Sequence, residues 1–443
     1  MVDEATQCVN CVCHRLGSLH RLERLDMVWC LPAAYFAGIE FSGVDGTFLK
    51  HIHLKQKACL LLLVTRDGDN RLLVIAWCYC LSETSQNYDY MAMQLKAMGH
   101  AVEYMSRPTH LLYSDRMKGI KHFEKHFACG HANCIVHIIK NVFQHVAGIP
   151  AANGKFHPDM IHAIQQASTE EEFRELLNKF RRGFPEAAAY LDSLPHDKVF
   201  SYALVKSGYA THGHRTSNIV EVMNNVVKDA RNLDCYRLCD WIVTWWGQKV
   251  AERQRVCKTM TRSKSLYTPY AQVQINKQEV FAREGDMRIM DQGDETYMVI
   301  ETFKDENVDN RRHGRDGPVT RVERNTVDMK NKTCTCVHVR EHRLPCKHVI
   351  LCTDNLSLRT TLQGQYQFRK DWVAPYFWRE NYTRAYEGIR VQAPVINNNT
   401  YIDVPSGKKT RLDKLRRVWT LVDESRSTLA ARVVSRVVDE PRL

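Results

Sequence analysis

The chain has 443 residues, of which 44% are hydrophobic and 25% are charged. This length allows two or three domains with a sizeable core, and the composition predicts a globular, soluble protein rather than a disordered or collagen-like one. Lysine and arginine exceed aspartate and glutamate by 62 to 50, and the resulting formal net charge of +12 favours polyanionic partners, nucleic acid first.

The N-terminal residues predict an intracellular protein without membrane contact. They carry acids and thiols where a secretory signal needs basic and then apolar residues. The apolar run ACLLLLV at 58–64 has strand length and is too short to cross a bilayer. The sixteen cysteines are therefore expected to be reduced and free to bind metal. Cys8, Cys11, Cys13 and His14 form one close cluster with no second pair nearby, and whether it binds metal stays open.

Strand patterns begin at about residue 38. GIEFSGVDGTFL at 38–49 is followed by two apolar runs within 58–80, and the Asp67-Gly68 step between these runs is a strong hairpin signal. Residues 84–105 then change to helical spacing.

A second group of strands and helices follows. THLLYSD at 109–115 predicts a short strand, 116–127 predicts a helix, and ANCIVHIIKNVF at 132–143 predicts a strand that runs into a helix. Strands followed by alternating strands and helices predict a mixed α/β sheet domain.

The next region is predicted to be helical. Residues 156–194 have helical patterns throughout, with Thr169 as an N-cap, and we interpret them as an insertion between parts of the sheet domain. A helix begins after 216–218, and the helix after it carries three tryptophans that we assign to the core. From 286 to 333 the pattern changes to short strands and polar loops.

The spacing of cysteines near the C-terminus predicts a metal site. Cys334-x-Cys336 is followed after nine residues by Cys346-x-His348, so two close pairs can supply the four corners of a tetrahedral zinc site. The alternative is a chance group of buried thiols, but the flanking residues are polar and basic. Cys352, His338 and His342 are interpreted as spare.

Three carboxylates are notable for their positions. Asp45 lies in the middle of a predicted strand, Asp115 ends another, and Glu221 lies on a helix beyond the insertion. Each alone has an ordinary interpretation as a cap, turn or helix-surface residue. Together at one edge of a sheet they would repel one another, and divalent cations would relieve that repulsion. Magnesium or manganese suits carboxylate oxygens, and two such ions can catalyse phosphoryl displacement.

An ordered set of motifs resembles the Mutator-like element (MULE) transposases with a SWIM zinc finger. It comprises GVDGTFLK, YSDRMKGI, CIVHIIKN, TSNIVEVMNN and the zinc spacing, and it covers roughly residues 30 to 420. The resemblance implies an RNase H-like catalytic domain whose DDE triad maps onto Asp45, Asp115 and Glu221. The Cys-x-x-His pair of that family is matched by Cys134 and His137, to which we assign a structural or DNA-handling role. On residue chemistry alone, these two would be core residues.

The resemblance also implies a reaction and its partners. The reaction is metal-dependent nicking of DNA at element ends, followed by strand transfer, in a nuclear protein. The implied cofactors are structural zinc and catalytic magnesium or manganese. DNA is the expected partner, with a second copy of the chain as a further candidate.

Two departures from the family point to a truncated or domesticated copy. The chain begins about forty residues before Asp45, which we expect to leave no room for the family's full DNA-binding zinc domain unless CVNCVCH at 8–14 is a remnant of it, and Phe200 stands where tryptophan is expected. The basic stretch from Lys408 to Arg417 is either a phosphate-contacting or nuclear-import segment or a solvated helix face. The alternative functions are therefore a transposase-derived DNA-binding transcriptional regulator without cleavage activity and, less favoured, a protein-interaction adaptor.

The expected fold class is α/β, an RNase H-like mixed sheet domain with a helical insertion, followed by a small zinc-binding α+β module. The expected segments are an N-terminal segment, two parts of the sheet domain separated by the insertion, a β-rich region that ends in the zinc module at about 325–353, and an aromatic and basic tail. Their boundaries are 1–37, 38–150, 151–210, 211–262, 263–353 and 354–443.

Overall fold

The computed structural model describes residues 8–16, 19–28, 35–50, 58–97, 99–115, 121, 125–146, 158–214, 218–233, 235–263, 265–305, 319–357 and 371–389. The predicted helix at 116–127, apart from a few of its residues, and the basic stretch 408–417 lie outside them. No helix in the described ranges has the length and apolarity needed to cross a bilayer.

The strands form two sheets. They are β1 (Cys8–Leu16), β2 (Leu19–Val28), β3 (Gly38–Phe48), β4 (Cys59–Asp67), β5 (Leu72–Cys80), β6 (Leu111–Ser114), β7 (Gly130–Asn133), β8 (Asp286–Gly293), β9 (Thr296–Asp305), β10 (Val319–Asp328) and β11 (Thr333–Cys334).

The helices are α1 (Ser85–Lys96), α2 (Gly99–Met105), α3 (Ile135–Val146), α4 (Pro158–Gln166), α5 (Glu170–Arg181), α6 (Pro185–Asp192), α7 (Ser201–Lys206), α8 (Asn218–Val226), α9 (Cys235–Thr261), α10 (Pro269–Glu284), α11 (Val337–His342), α12 (Lys347–Ser357) and α13 (Arg379–Tyr386). The chain is thus mixed α/β, as predicted.

The larger sheet has the strand order β1-β2-β5-β4-β3-β6-β7. In this order, the neighbouring strands β1–β2, β2–β5, β5–β4 and β4–β3 are antiparallel, whereas β3–β6 and β6–β7 are parallel. Every residue of the β4 run from Cys59 to Val64 is fully buried, which explains why its sequence is continuously apolar rather than alternating. The β4–β5 hairpin turns at Gly68, as the Asp-Gly signal predicts.

The helices between β7 and α8 have a core of their own. Buried apolar side chains of α3 to α7 pack together, and the ring of Phe200 in this core contacts that of Phe173 at a tilt, with 4.5 Å between ring centroids. Thr169 caps α5, since its hydroxyl accepts from the Glu172 N–H at 3.2 Å. Within 158–194 the described residues are helical except for short turns at 167–169, 182–184 and 193–194, which separate α4, α5 and α6 and end α6.

The second sheet has the order β11-β10-β9-β8 and is entirely antiparallel. Its inner face packs with α12 around Val299, Val327 and Val349. Helix α10 packs against α12 and connects this unit to the long helix α9.

Candidate functional site

Asp45 and Asp115 are brought together by the register of two parallel strands. Gly43 of β3 pairs with Tyr113 of β6. Two residues farther along, Asp45 lies within β3 and Asp115 directly follows the last residue of β6, so the two aspartates are aligned across neighbouring strands. Because side chains alternate along a strand, each aspartate has the same facing as the paired residue two positions before it.

The surroundings of Asp45 disfavour its charge. The pKa of Asp45 is raised to about 7, chiefly by burial and also by the nearby Asp115 and Glu83 carboxylates, while a 2.9 Å hydrogen bond from the Gly46 N–H and the nearby His137 lower it. These carboxylates therefore act on one another through space, as expected for neighbouring acids.

Glu83 is a member of this acidic group that sequence reasoning missed. It lies between β5 and α1, and the Tyr88 hydroxyl donates to its Oε1 at 2.7 Å. Burial raises the pKa of Glu83, with a contribution from Asp115. In sequence it is an ordinary acid before a helix start, so no local signal distinguishes it.

Glu221 is carried by a helix that packs on the same strand as Asp45. The neighbouring Ile219 and Val220 of α8 lie over Gly43, where an added Cβ would come within 2.7 Å of a Val220 methyl carbon. Glycine at position 43 thus permits the close approach of α8 to β3. Glu221 itself is half-buried in the first turn of α8.

Cys134 and His137 lie beside the two aspartates. The Cys134 N–H donates to the Ser114 carbonyl at 2.8 Å, so α3 starts directly next to the end of β6. A hydrogen bond with Cys134 raises the pKa of His137, and the charges of Asp45 and Asp115 act in the same direction. The pair is therefore next to the acids, while its assigned role stays a prediction.

The four predicted zinc ligands converge. The sulfurs of Cys334, Cys336 and Cys346 and a ring nitrogen of His348 all lie within 4.8 Å of one another. His348 Nδ1 is 3.8 Å from both Cys334 Sγ and Cys346 Sγ. A tetrahedral zinc site with these ligands separates its ligand atoms by about 3.5–3.8 Å, so this cluster could hold zinc.

The four potential ligands lie at the ends of short elements. Cys334 ends β11 and Cys336 is the N-cap of α11, while Cys346 directly precedes α12 and His348 lies in its first turn. Hydrogen bonds with Cys334 and Cys346 lower the pKa of Cys336, whereas a hydrogen bond with Cys336 raises the pKa of Cys334 and burial raises the pKa of Cys346. A thiolate is the form that binds metal, so a metal at this cluster would have to displace the protons of the other two thiols.

The second nitrogen of His348 faces an acid from the sheet. His348 Nε2 is 3.4 Å from Glu301 Oε2, and the other oxygen of Glu301 forms an ion pair with Lys347. Glu301 lies on β9 and is 4% exposed. Sequence reasoning missed it, because it is separated from the cysteine pairs by more than thirty residues and has no motif of its own.

The residues interpreted as spare have other surroundings. Cys352 is buried in the core between α12 and the second sheet. His338 and His342 both lie on α11, and their rings are in tilted contact with centroids 4.6 Å apart. Among the described residues, only the Cys334, Cys336, Cys346 and His348 set brings three or more potential ligand atoms within 4.8 Å of one another.

Some predicted sites lie outside the description. Cys8, Cys11, Cys13 and His14 fall on β1, whose side chains are not described, and the basic stretch 408–417 is also outside. Comparison of the sequence with models of known protein families and with curated proteins finds no match.

Proposed function

We propose that this chain is a DNA transposase of the MULE type, which cleaves DNA and transfers strands through Asp45, Asp115 and Glu221. The observation that carries the proposal is the alignment of Asp45 on β3 with Asp115 directly after β6, a strand that runs parallel to β3. A helix inserted before the third acid and a Cys-x-x-His pair next to the first two add support.

In this proposal the larger sheet belongs to an RNase H-like domain. Its support is a mixed sheet in which an antiparallel β3–β4–β5 meander meets two parallel strands at β3. The region from β11 to α12 is proposed to be a SWIM-type zinc module, supported by the convergence of its four ligands.

The residue types suit magnesium or manganese, because both ions prefer carboxylate ligands, although the carboxylate oxygens of Asp45, Asp115 and Glu221 do not all lie within 4.8 Å of one another. Asp45 and Asp115 would hold the ions and Glu221 would complete the set, and the ions would supply charge stabilisation for the phosphoryl displacement. The raised pKa of Asp45 has a consequence: near neutral pH a large fraction of this carboxyl carries a proton, which cation binding must displace.

The zinc ligands have a structural role in this proposal. Three sulfurs and one imidazole fill a tetrahedral site and leave no position for a reacting water. Zinc would hold β11, α11 and α12 together beside the sheet domain, and the proposed partner is DNA, in the nucleus. The formal charge of +12 supports a polyanionic partner.

The test is a nicking and strand-transfer assay on supercoiled plasmid with magnesium or manganese. We expect cleavage by the full chain and loss of at least a hundredfold in Asp45→Asn. Asp192→Asn, which removes an acid that is half exposed and paired with Arg181, is the matched control and should retain activity. Equal activity of wild type and Asp45→Asn would contradict the proposal.

The same assay separates the alternative functions. If neither protein cleaves while both bind DNA, the chain acts as a DNA-binding regulator derived from a transposase. If the protein neither cleaves nor binds DNA, the adaptor function is favoured instead.

A further inference from the structure

The orientation of the His348 ring is determined from outside the four-residue ligand set. The ring presents Nδ1 to the sulfurs, at 3.8 Å from two of them, and leaves Nε2 on the opposite side. Residue 348 lies in the first turn of α12, so its backbone position alone leaves the ring free to rotate about its side-chain bonds. A contact on the Nε2 side can therefore fix which nitrogen faces the sulfurs.

That contact is Glu301, which is buried and paired with a cation. Its Oε2 lies 3.4 Å from His348 Nε2, and its Oε1 pairs with the Lys347 ammonium, next in sequence to His348. Both Glu301 and His348 are less than 5% exposed. A buried carboxylate is costly without a cation, so the Lys347 ion pair explains how an acid persists at this place.

Position on β9 makes Glu301 a rigid support. Val299, two residues before it on β9, packs in the core between the second sheet and α12. Strand β9 is paired on both sides, with β8 and β10. A carboxylate on a central strand holds its direction better than one on a loop.

We propose that Glu301 is a positioning residue for the metal site: it accepts the Nε2–H of His348, fixes the Nδ1 tautomer as the ligand, and raises the basicity of that nitrogen. The inference rests on the proposed zinc site. It adds a fifth residue, from a different sheet strand, on which metal affinity depends.

The test measures zinc affinity of the full chain by competition with a chromophoric chelator. We expect Glu301→Ala to bind zinc roughly 10–100-fold more weakly than wild type, with a smaller loss for Glu301→Gln, which keeps an acceptor. The matched control is Glu323→Ala, because Glu323 lies opposite Glu301 on β10 but pairs with Arg321. This control should bind zinc as wild type does.

The Glu301→Ala substitution made in a His348→Cys variant separates positioning of the imidazole from a general effect on folding. In His348→Cys the fourth ligand is a thiolate with no second nitrogen, so adding Glu301→Ala should leave the affinity unchanged within about twofold. Cobalt substitution gives an independent readout: the ligand-field bands of Glu301→Ala should shift relative to wild type, and those of Glu323→Ala should not.

Three results would overturn the inference. Affinity in Glu301→Ala equal to that of wild type would refute it and leave the zinc site intact. An equal loss in the His348→Cys background would show that Glu301 acts through the fold and not through the imidazole. Wild-type protein that binds no zinc would refute the metal site itself, while the DNA-cleavage proposal is tested separately.

Discussion

Asp67 shows how a single buried charge can hold distant parts of this chain together. Its carboxylate is fully buried at the end of β4. Oδ2 accepts hydrogen bonds from Arg253 Nε at 3.0 Å, the Tyr386 hydroxyl at 2.8 Å and the Tyr382 hydroxyl at 3.1 Å. These donors come from α9 and α13, so one carboxylate joins the sheet to two helices that lie far away in sequence.

Replacing Asp67 by asparagine should destabilise the protein strongly. The substitution leaves the Arg253 guanidinium, which is 2% exposed, without its counter-charge, and breaking a buried ion pair in this way costs about 3–5 kcal/mol. Urea unfolding measures the change, with the surface variant Asp192→Asn as the control that should differ little. A loss below 1 kcal/mol for Asp67→Asn would contradict this account.

His110 makes stability depend on pH. Burial lowers the pKa of His110 to about 3, while Nε2 lies 2.9 Å from the Ser42 hydroxyl. The folded state excludes a proton that the unfolded state takes up below about pH 6.5, so the stabilisation is complete above pH 6.5 and is lost as the pH falls.

Between pH 6 and pH 4 we expect His110 to contribute up to about 1.4 kcal/mol of lost stability per pH unit. His110→Gln should reduce the slope of unfolding free energy against pH by this amount, whatever its effect on stability at pH 7. His162→Gln, on the partly exposed α4, should leave the slope unchanged. Identical slopes in wild type and His110→Gln would exclude His110 as the source.

At the scale of elements, a metal bound by the three cysteines and His348 would hold two short helices in place. Helix α11 has six residues and α12 eleven, and isolated helices of this length are marginal in water. Their N-terminal ends supply three of the four potential ligands, so a metal bound there would tie both helix starts to β11.

Removing the metal should loosen this region selectively. Replacing Cys334 and Cys346 by serine should remove about one zinc per chain, measured by elemental analysis. Amide hydrogen exchange should then rise in α11 and α12, while α5, with its own core, keeps its protection as an internal control. Unchanged zinc content in the variant would contradict the assignment.

The elements that sequence predicts best are those with a local signal. The β4–β5 hairpin follows from Asp67-Gly68, and α5 follows from the Thr169 cap. Helix α10 was not predicted. Its buried residues are partly small, and its exposed residues include Val273, Val280 and Phe281, so apolar residues are not confined to one face of the helix. The hairpin of β1 and β2 was also missed, because its cysteines suggested a metal cluster rather than a strand.

The candidate sites divide in the same way. The spacing of the cysteine pairs predicts all four clustered ligands, and strand patterns predict the positions of Asp45 and Asp115. Glu83 and Glu301 could not be predicted, because each joins its site through tertiary packing rather than through sequence neighbours. Their roles depend on which strands pair, and no local pattern contains that information.

At the scale of the whole molecule, polar contacts attach the metal-binding region to the larger sheet. Arg343, in the left-handed region at the end of α11, pairs with Glu40 of β3 at 3.0 Å and donates to the Gly208 carbonyl at 2.8 Å. Thr211 donates to the neighbouring Glu341 carboxylate at 2.8 Å.

The Arg343–Glu40 pair should contribute measurably to stability. It is only partly exposed, and a double-mutant cycle with Arg343→Ala and Glu40→Ala should give a coupling of about 1 kcal/mol in urea unfolding. The exposed pair Lys249–Glu252, measured in the same way, should give a weaker coupling. Additive effects of the two substitutions would show that this contact does not attach the module.

Strand β3 carries both the attachment point and a proposed catalytic acid. Glu40 and Asp45 are five residues apart on β3, which pairs with β4 on one side and with β6 on the other. Because a strand paired on both sides is stiff, the attachment point of the metal-binding region keeps a fixed position relative to Asp45. If the chain cleaves DNA as proposed, the place where this region meets the duplex relative to the cleaved bond is therefore set by the fold and not by a flexible linker.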